Sequence, residues 1–266
     1  MTYSASLASV NGAIMPASGA TVAASDEGFL RGDGVFEVIR VYDGKAFALE
    51  AHLERLERSA INLRLPVDLE SVRAEAASLL ARAGAGPDHE LLRVVVTRGG
   101  RRILLTEPLP ATRERVRLGS VVYAPTRILD GVKSLSYAAN MLASRIARER
   151  GFDEALLVTP HGRVLEAPTS SIFWIKEGEL FTPPLSDHIL ASITRALIID
   201  TAGASECSTT LEEIGEADEA FLASTTREVQ PVAQIDDHTF KGSREVSARI
   251  AAAVSERVRS ELAAVG

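Results

Sequence analysis

Lysine is scarce in this sequence, so each lysine is a candidate for a specific chemical role. The four lysines, against 25 arginines, are Lys45, Lys133, Lys176 and Lys241. Three of them lie beside glycine-containing turns, where an exposed side chain is expected. Lys133 instead lies on a loop between a predicted strand over 116–123 and a predicted helix around 140–150. Partial desolvation there would lower the pKa of the amine and make it a nucleophile toward an aldehyde, and a solvent-facing loop lysine is the alternative.

Glu166 is the second residue whose position suggests chemistry. It ends a short predicted strand over 163–165, which pairs through the turn Pro160-His161-Gly162 with an apolar strand over 154–159. A carboxylate at this place can bind a protonated pyridine nitrogen and keep such a ring an electron sink. A strand-end glutamate in water is the alternative.

Two groups of hydroxyl residues could bind a phosphate. Leu190 to Arg195 opens a predicted helix that ends near Gly203, and Ser192 is its predicted N-cap. Free backbone N–H groups at a helix start bind phosphate well. Ser224-Thr225-Thr226 follows an apolar strand over 219–223. Helix capping and an ordinary strand-to-loop turn explain the two groups equally.

Composition restricts the class of protein. The 266 residues, 46% apolar and 24% charged, are typical of a soluble globular protein with one large or two modest domains. A net charge of −7 without a basic run argues against a nucleic-acid partner. Met1-Thr2-Tyr3-Ser4 begins no leader and no apolar run reaches about 18 residues, so we expect a cytoplasmic protein without a membrane partner. The single Cys207 and five scattered histidines indicate neither a disulfide nor a metal site.

The predicted elements divide into two α/β domains. Asn11-Gly12 and Asp43-Gly44 predict hairpins. Strands are predicted over 35–42, 90–98, 102–106 and 116–123, and helices from near Glu50 to before Pro66 and from Asp68 to Gly84. These elements form a first domain over 1–123, followed by a linker over 124–131. The second domain, over 132–266, contains a capping box of Thr210 with Glu213 and ends with a helix from about Ser243 to Ala264.

Several segments occur in an order known from one enzyme family. They are Gly28 to Glu37, His52 to Leu56, Lys133 with Tyr137 and Asn140, Gly151 to Leu156, Gly162 to Glu166, Ile193 to Arg195, and Ser224 to Pro231. This order, over nearly the whole chain, resembles the class IV aminotransferases. These are the fold-type IV pyridoxal-phosphate enzymes, which include branched-chain and D-amino-acid aminotransferases, R-selective amine transaminases and aminodeoxychorismate lyase.

The resemblance implies a two-domain α/β fold of the α+β type with the active site in the interdomain cleft, and a homodimer. It implies that Lys133 holds pyridoxal 5′-phosphate as an internal aldimine and moves the proton during catalysis. Glu166 would keep the ring nitrogen protonated, and Tyr137 would bind the ring oxygen, with core packing as the alternative for the tyrosine. The substrates would be an amino donor and a 2-oxo acid acceptor.

The resemblance also implies how the cofactor phosphate is bound. The arginine of the His-x-x-Arg-Leu pattern, Arg55, would reach the phosphate with its planar fork of donors. An exposed helix arginine paired with Glu54 is the alternative for Arg55. The remaining cofactor contacts would come from Leu190, Ile193, Thr194, Thr225 and Thr226. The sequence departs from the family pattern at two places. Ser171 stands where many relatives have asparagine, which puts the polar contact made there in doubt. Ala191-Ser192 replaces a glycine that is common in relatives, and the serine can cap the helix.

Substrate identity stays open in the sequence. The segments 36–42 and 224–229 look closest to D-amino-acid and branched-chain aminotransferases. The candidates for binding a substrate carboxylate, with Arg31 and Arg98 first, also include Arg40, Arg101 and Arg102. Aminodeoxychorismate lyase shares the same core. Two other interpretations are a pyridoxal-phosphate carrier without turnover and an α/β binding protein without a cofactor.

Overall fold

The computed structural model describes residues 6–242 and 244–264. The chain forms two compact units. The first comprises residues up to Ala111 together with Val132–Tyr137, and the second comprises Thr112–Gly131 and the residues from Ala138 onward. Two predictions fall outside the described residues. They are the absence of a leader at Met1-Thr2-Tyr3-Ser4 and the start of the last helix at Ser243.

The first unit is a six-stranded antiparallel sheet with two long helices. Its elements are β1 Leu7–Val10, β2 Ala13–Pro16, α1 Glu27–Arg31, β3 Gly34–Tyr42, β4 Lys45–Ala46, α2 Leu49–Asn62, α3 Leu69–Ala83, β5 Leu91–Thr97 and β6 Arg102–Glu107. The strand order is β2-β1-β6-β5-β3-β4. Both predicted hairpins are confirmed, since β1 pairs with β2 and β3 with β4. Asn11-Gly12 and Asp43-Gly44 have positive φ angles, as the tight turns of such hairpins require.

Helix α2 packs its leucine face on this sheet. Leu53, Leu56 and Ala60 are buried in one apolar cluster with residues of β3, β5 and α3. The recurrence of these residues at helical spacing explains why the segment forms a helix with one buried face. A second, polar set of buried residues lies on the same helix: His52, Arg55 and Ser59.

The segment Val132–Tyr137 adds a short extension to the first unit. Ser134 forms an antiparallel bridge with Val35, the Phe36 N–H donates to the Lys133 carbonyl at 3.1 Å, and the Leu135 N–H donates to the Gly34 carbonyl at 2.8 Å. Lys133 is therefore fixed by backbone hydrogen bonds beside β3.

The second unit is built on an eight-stranded mixed sheet. Its elements are β7 Val116–Val122, α4 Ala138–Glu149, β8 Glu154–Val158, β9 Ser171–Lys176, β10 Glu179–Thr182, α5 Ile193–Ala202, β11 Ser205–Glu206, α6 Leu211–Gly215, β12 Glu219–Ser224, β13 Glu228–Ile235, β14 His238–Thr239 and α7 Glu245–Ala264. The strand order is β11-β10-β9-β12-β13-β7-β8, with β14 paired to β13. The predicted helix end at Gly203 and the capping box of Thr210 with Glu213 are both present.

One strand lies in a different unit from the one predicted. The sequence predicts that the segment 116–123 completes the first domain, but β7 pairs in parallel with β8 and β13 in the second sheet. The alternation of residues predicts that a segment is a strand, whereas its partners depend on contacts distant in sequence. The chain then returns to the first unit for Val132–Tyr137, so the expected division near residue 123 differs from that of the compact units.

No helix among residues 6–242 and 244–264 is long and apolar enough to cross a membrane.

Candidate active site

Lys133 lies in the first unit, next to two aromatic rings. Its Nζ is 4.4 Å from the centroid of the Phe36 ring and 5.9 Å from that of Tyr137. The two rings meet edge to face at 5.4 Å. The backbone N–H of Lys133 donates to the Ser59 hydroxyl of α2 at 3.1 Å. The structure thus brings Lys133 and Tyr137 together and fixes the backbone from which the lysine side chain extends.

Arg55 is buried and binds a carboxylate that is distant in sequence. Its Nε and Nη2 donate to the two carboxylate oxygens of Glu37 at 2.7 and 2.6 Å. The second Glu37 oxygen also contacts Nδ1 of His52 at 2.7 Å. An exposed arginine paired with its neighbour Glu54 is therefore not what the structure contains, since Arg55 is only 5% exposed. Its phosphate-binding role stays a prediction.

Two pKa shifts describe the charge of this group. Burial alone raises the pKa of the Glu37 carboxyl, but hydrogen bonds from Arg55 and His52 bring the pKa down to about 2. Burial lowers the pKa of His52 below its usual value, and the hydrogen bond to Glu37 offsets this only in part. At neutral pH Glu37 is thus ionised and His52 neutral, so the His52 Nδ1–H donates to the carboxylate.

The five arginines considered for a substrate carboxylate all have acidic partners within the first unit. The pairs are Arg31–Glu27, Arg40–Glu90, Arg98–Asp33, Arg101–Asp26 and Arg102–Glu75. Arg98 donates to both oxygens of Asp33 and to the carbonyls of Leu63 and Arg64, so this side chain links three parts of the unit. The Arg31 side chain is 75% exposed, which is the largest exposed fraction of the five.

Glu166 lies in the second unit at the end of the hairpin predicted for it. The Leu165 N–H donates to the Leu157 carbonyl and the Leu157 N–H donates to the Glu166 carbonyl, both at 2.9 Å. One carboxylate oxygen of Glu166 accepts the backbone N–H of Leu190 at 3.2 Å. Burial and the negative charge of Glu166 together raise the pKa of Tyr123. Glu166 and Leu190 are therefore neighbours, as one shared site would require.

Helix α5 begins with the predicted cap. The Ser192 hydroxyl accepts the Arg195 N–H at 3.2 Å, and the cap residue has extended backbone angles. The first N–H groups of a helix have no intrahelical partner. The Ser192 hydroxyl accepts from Arg195, so this cap does not use the N–H groups of Ile193 and Thr194. Their role in phosphate binding stays a prediction.

Thr225 and Thr226 lie on the turn that joins β12 to β13. The turn is closed by a hydrogen bond from the Arg227 N–H to the Ser224 carbonyl at 3.1 Å. The hydroxyls of Ser224 and Thr226 are 3.3 Å apart. Both threonines are half-buried, so their hydroxyls belong to a short polar turn that follows a buried strand.

Comparison with known proteins now identifies the family. The model of the family described as amino-transferase class IV matches residues 34–235. The chain belongs to the class IV aminotransferase family. It is therefore an enzyme of the transaminase type.

Relatives of this class IV aminotransferase carry two kinds of substrate in their names. A D-alanine aminotransferase from Listeria innocua is 34% identical over 253 residues, covering 85% of this chain and 86% of the relative. A branched-chain aminotransferase from the archaeon Thermoproteus uzoniensis, solved with norvaline, has a TM-score of 0.83 at 29% identity and covers 95% of this chain and 94% of that one. A hypothetical aminotransferase from Mycobacterium tuberculosis in its PLP-bound form has a TM-score of 0.88 at 25% identity and covers 96% and 99%. These matches confirm the predicted fold-type IV architecture.

Four residues of this aminotransferase had no role assigned from sequence. They are Glu37 and His52, which lie beside Arg55, Ser59, which accepts the Lys133 N–H, and Arg195, which anchors the start of α5. The buried Arg195 guanidinium donates to the Pro183 carbonyl at 2.8 Å and pairs with Glu206. One signal was available, because a helix that carries His52, Arg55 and Ser59 at helical spacing places them on one face.

Proposed function

We propose that this class IV aminotransferase moves an amino group between an amino acid, of the D-amino-acid or branched-chain type, and a 2-oxo acid. It uses pyridoxal phosphate as its cofactor. The observation that carries the proposal is the environment of Lys133, whose backbone is fixed beside β3 and whose amine lies over the Phe36 ring. An amine held in this way is suited to bind an aldehyde and to transfer protons.

The donor set fits the proposed cofactor. A phosphate needs aligned N–H and hydroxyl donors, and we assign this role to Ile193, Thr194, Thr225 and Thr226, with Arg55 as the cationic contact. A protonated ring nitrogen needs a carboxylate, and Glu166 carries one against the Leu190 backbone. Leu190 would pack on the ring face. The ring oxygen would accept a hydrogen bond from the Tyr137 hydroxyl.

Each residue has a distinct part in the proposed reaction. When bound, the pyridoxal ring delocalises the negative charge that develops at the substrate α-carbon. Lys133 removes the α-proton as a general base and delivers a proton to the cofactor C4′ as a general acid. Glu166 keeps the ring nitrogen protonated throughout. Arg31 is the preferred contact for the substrate carboxylate, because the donors of Arg98 are engaged by Asp33 and two carbonyls.

The names of the relatives favour transamination over the lyase reaction. The Listeria and Thermoproteus proteins are both named aminotransferases, one for D-alanine and one for branched-chain amino acids. This supports an enzyme that accepts an amino donor and a 2-oxo acid, and it leaves the handedness of the donor to experiment.

The test is a set of half-reactions. The purified protein is loaded with pyridoxal phosphate, given D-alanine, L-leucine or an R-configured arylamine one at a time, and followed by its visible absorbance. Conversion to the pyridoxamine form by D-alanine or L-leucine is expected and identifies the handedness in one step. A visible band that none of the donors bleaches, together with pyruvate release from aminodeoxychorismate, would replace the transaminase with the lyase.

The proposal includes a homodimer. Its support is the family resemblance together with Phe29 and Leu30, adjacent side chains of α1 that are 71% and 56% exposed. Contiguous exposed apolar surface is a feature of protein–protein interfaces. Light scattering should give a mass of twice 28.4 kDa, and the single-chain mass would contradict the dimer.

We also propose a cytoplasmic location, as the sequence led us to expect. Fractionation of cells that express the full chain should recover it with cytoplasmic markers. Recovery in the exported or membrane fraction would contradict this.

A further inference from the structure

Among the described residues of the first unit, the most strongly buried set of ionisable side chains is Glu37, His52 and Arg55. The Glu37 side chain is fully buried, and the other two are 2% and 5% exposed. The Glu37 carboxylate orients both partners. Its Oε1 accepts from Arg55 Nε, and its Oε2 accepts from both Arg55 Nη2 and His52 Nδ1. The bidentate geometry fixes the plane of the guanidinium as well as its position.

This set is joined directly to Lys133. Phe36, the residue before Glu37, donates its N–H to the Lys133 carbonyl at 3.1 Å and places its ring under the lysine amine. Ser59 lies one helical turn after Arg55 and accepts the Lys133 N–H at 3.1 Å. The face of α2 that carries Arg55 therefore also sets the backbone of the lysine.

A stabilising role alone gives a poor account of such a set. Burying charges removes them from water, and a buried ion pair is commonly no more stabilising than well-packed apolar side chains of similar volume. The neighbouring α2 residues Leu53 and Leu56 show that apolar side chains pack well on this sheet. The charges at Glu37 and Arg55 thus call for a role in binding or catalysis.

We propose that Glu37 is a positioning residue: its carboxylate orients the guanidinium of Arg55 and, with His52 and α2, sets the geometry in which Arg55 and Lys133 meet the cofactor. This inference rests on the proposed function, in which Arg55 binds the phosphate. Glu37 itself touches neither cofactor nor substrate in this scheme.

The charge of Glu37 makes the inference testable by the sign of an effect. If Glu37 merely neutralised Arg55, its replacement by glutamine would leave a more positive site and strengthen phosphate binding. If Glu37 orients Arg55, the same replacement would weaken binding, because an amide offers a single acceptor oxygen and turns its own N–H₂ toward the guanidinium.

The experiment measures the dissociation constant of pyridoxal phosphate from the apoprotein by equilibrium dialysis, with thermal unfolding of each apoprotein as a separate readout. We expect Glu37→Gln to raise the constant about tenfold or more and Glu37→Asp, which keeps the charge, to recover part of the loss. The matched control is Glu107→Gln, which breaks the bidentate Arg93–Glu107 pair of the same sheet and should leave the constant unchanged. An unchanged or smaller constant in a folded Glu37→Gln protein would overturn the inference.

Two further variants keep the test decisive. If Glu37→Gln does not fold, His52→Gln removes one partner of Glu37 and retains the Glu37–Arg55 pair. It should raise the constant about threefold, and a wild-type constant would overturn the inference. Lys133→Ala separates the two proposals: an internal-aldimine band that survives this change refutes the proposed function. A wild-type protein that binds cofactor through Lys133 while Glu37→Gln binds equally well refutes only the role of Glu37.

Discussion

The two units differ in how they hold the polar groups proposed for the active site. In the first unit the candidate residues are side chains fixed by other side chains, as in the Glu37–Arg55 pair. In the second unit they are mostly backbone groups and short side chains at element ends, such as the start of α5 and the turn after β12. Side-chain pairs depend on contacts distant in sequence, whereas element ends depend on neighbouring residues. We therefore expect single substitutions to cost more fold stability in the first construction than in the second.

The largest effect should follow the loss of the lysine. Lys133→Ala should abolish turnover and the aldimine absorbance together, because the aldimine forms on the amine of this lysine. Lys176→Ala, which removes a surface lysine paired with Glu216, is the matched control and should behave as wild type. Turnover retained by Lys133→Ala would remove this residue from the mechanism.

Arg55→Ala should damage the first unit in two ways. It leaves the buried Glu37 carboxylate without its guanidinium partner, which typically costs about 3–5 kcal/mol of unfolding free energy. It should also weaken cofactor binding. Urea unfolding measures the loss of stability, and equilibrium dialysis measures the loss of cofactor binding. A protein as stable as wild type would argue against the sensitivity of this unit.

Glu166→Gln tests the second unit. The variant should retain the cofactor but lower kcat by about 10²–10³-fold, since a neutral amide no longer favours the protonated ring nitrogen. The stopped-flow rate of proton removal from the amino donor is the measurement. Near-normal turnover would mean that Glu166 does not bind the ring nitrogen and that the backbone groups of this unit bind the cofactor without its help.

Acid should weaken the first unit through Glu37. The pKa of this carboxyl falls from 4.5 to about 2 on folding, so its stabilisation is complete above pH 4.5 and is lost as the pH falls toward 2. The loss is on the order of 3 kcal/mol. His52, whose pKa is also lowered, acts in the same direction below its ordinary value of 6.5. The difference in unfolding free energy between wild type and Glu37→Gln should shrink between pH 5 and 3, and a constant difference would contradict this assignment.

The smallest effect is expected at the helix cap. Ser192→Ala should cost about 1 kcal/mol of stability because the Arg195 N–H loses its acceptor. Ser192→Asp keeps a capping oxygen but adds a negative charge beside the proposed phosphate contacts. It should therefore retain stability and weaken cofactor binding. Equal binding by both variants would indicate that this helix start does not meet the phosphate.

Local signals in the sequence predicted local structure well. The hairpins at Asn11-Gly12 and Asp43-Gly44, the cap at Ser192 and the capping box at Thr210 are all present, because each depends on a few adjacent residues. The leucine face of α2 is present for the same reason. The order of motifs also predicted the family, which the match over residues 34–235 confirms.

The sequence by itself determined the helix starts, the turns and the candidates Lys133 and Glu166, since residue type and spacing carry that information. Only the tertiary structure decided that β7 pairs in the second sheet and that Arg55 turns inward to Glu37. A buried strand or charged side chain loses its hydrogen bonds to water and must form new ones within the protein. Its partners therefore depend on groups that are distant in sequence. Arg55 follows Glu37 by 18 positions in the sequence, and burial on the sheet brings their charges into contact.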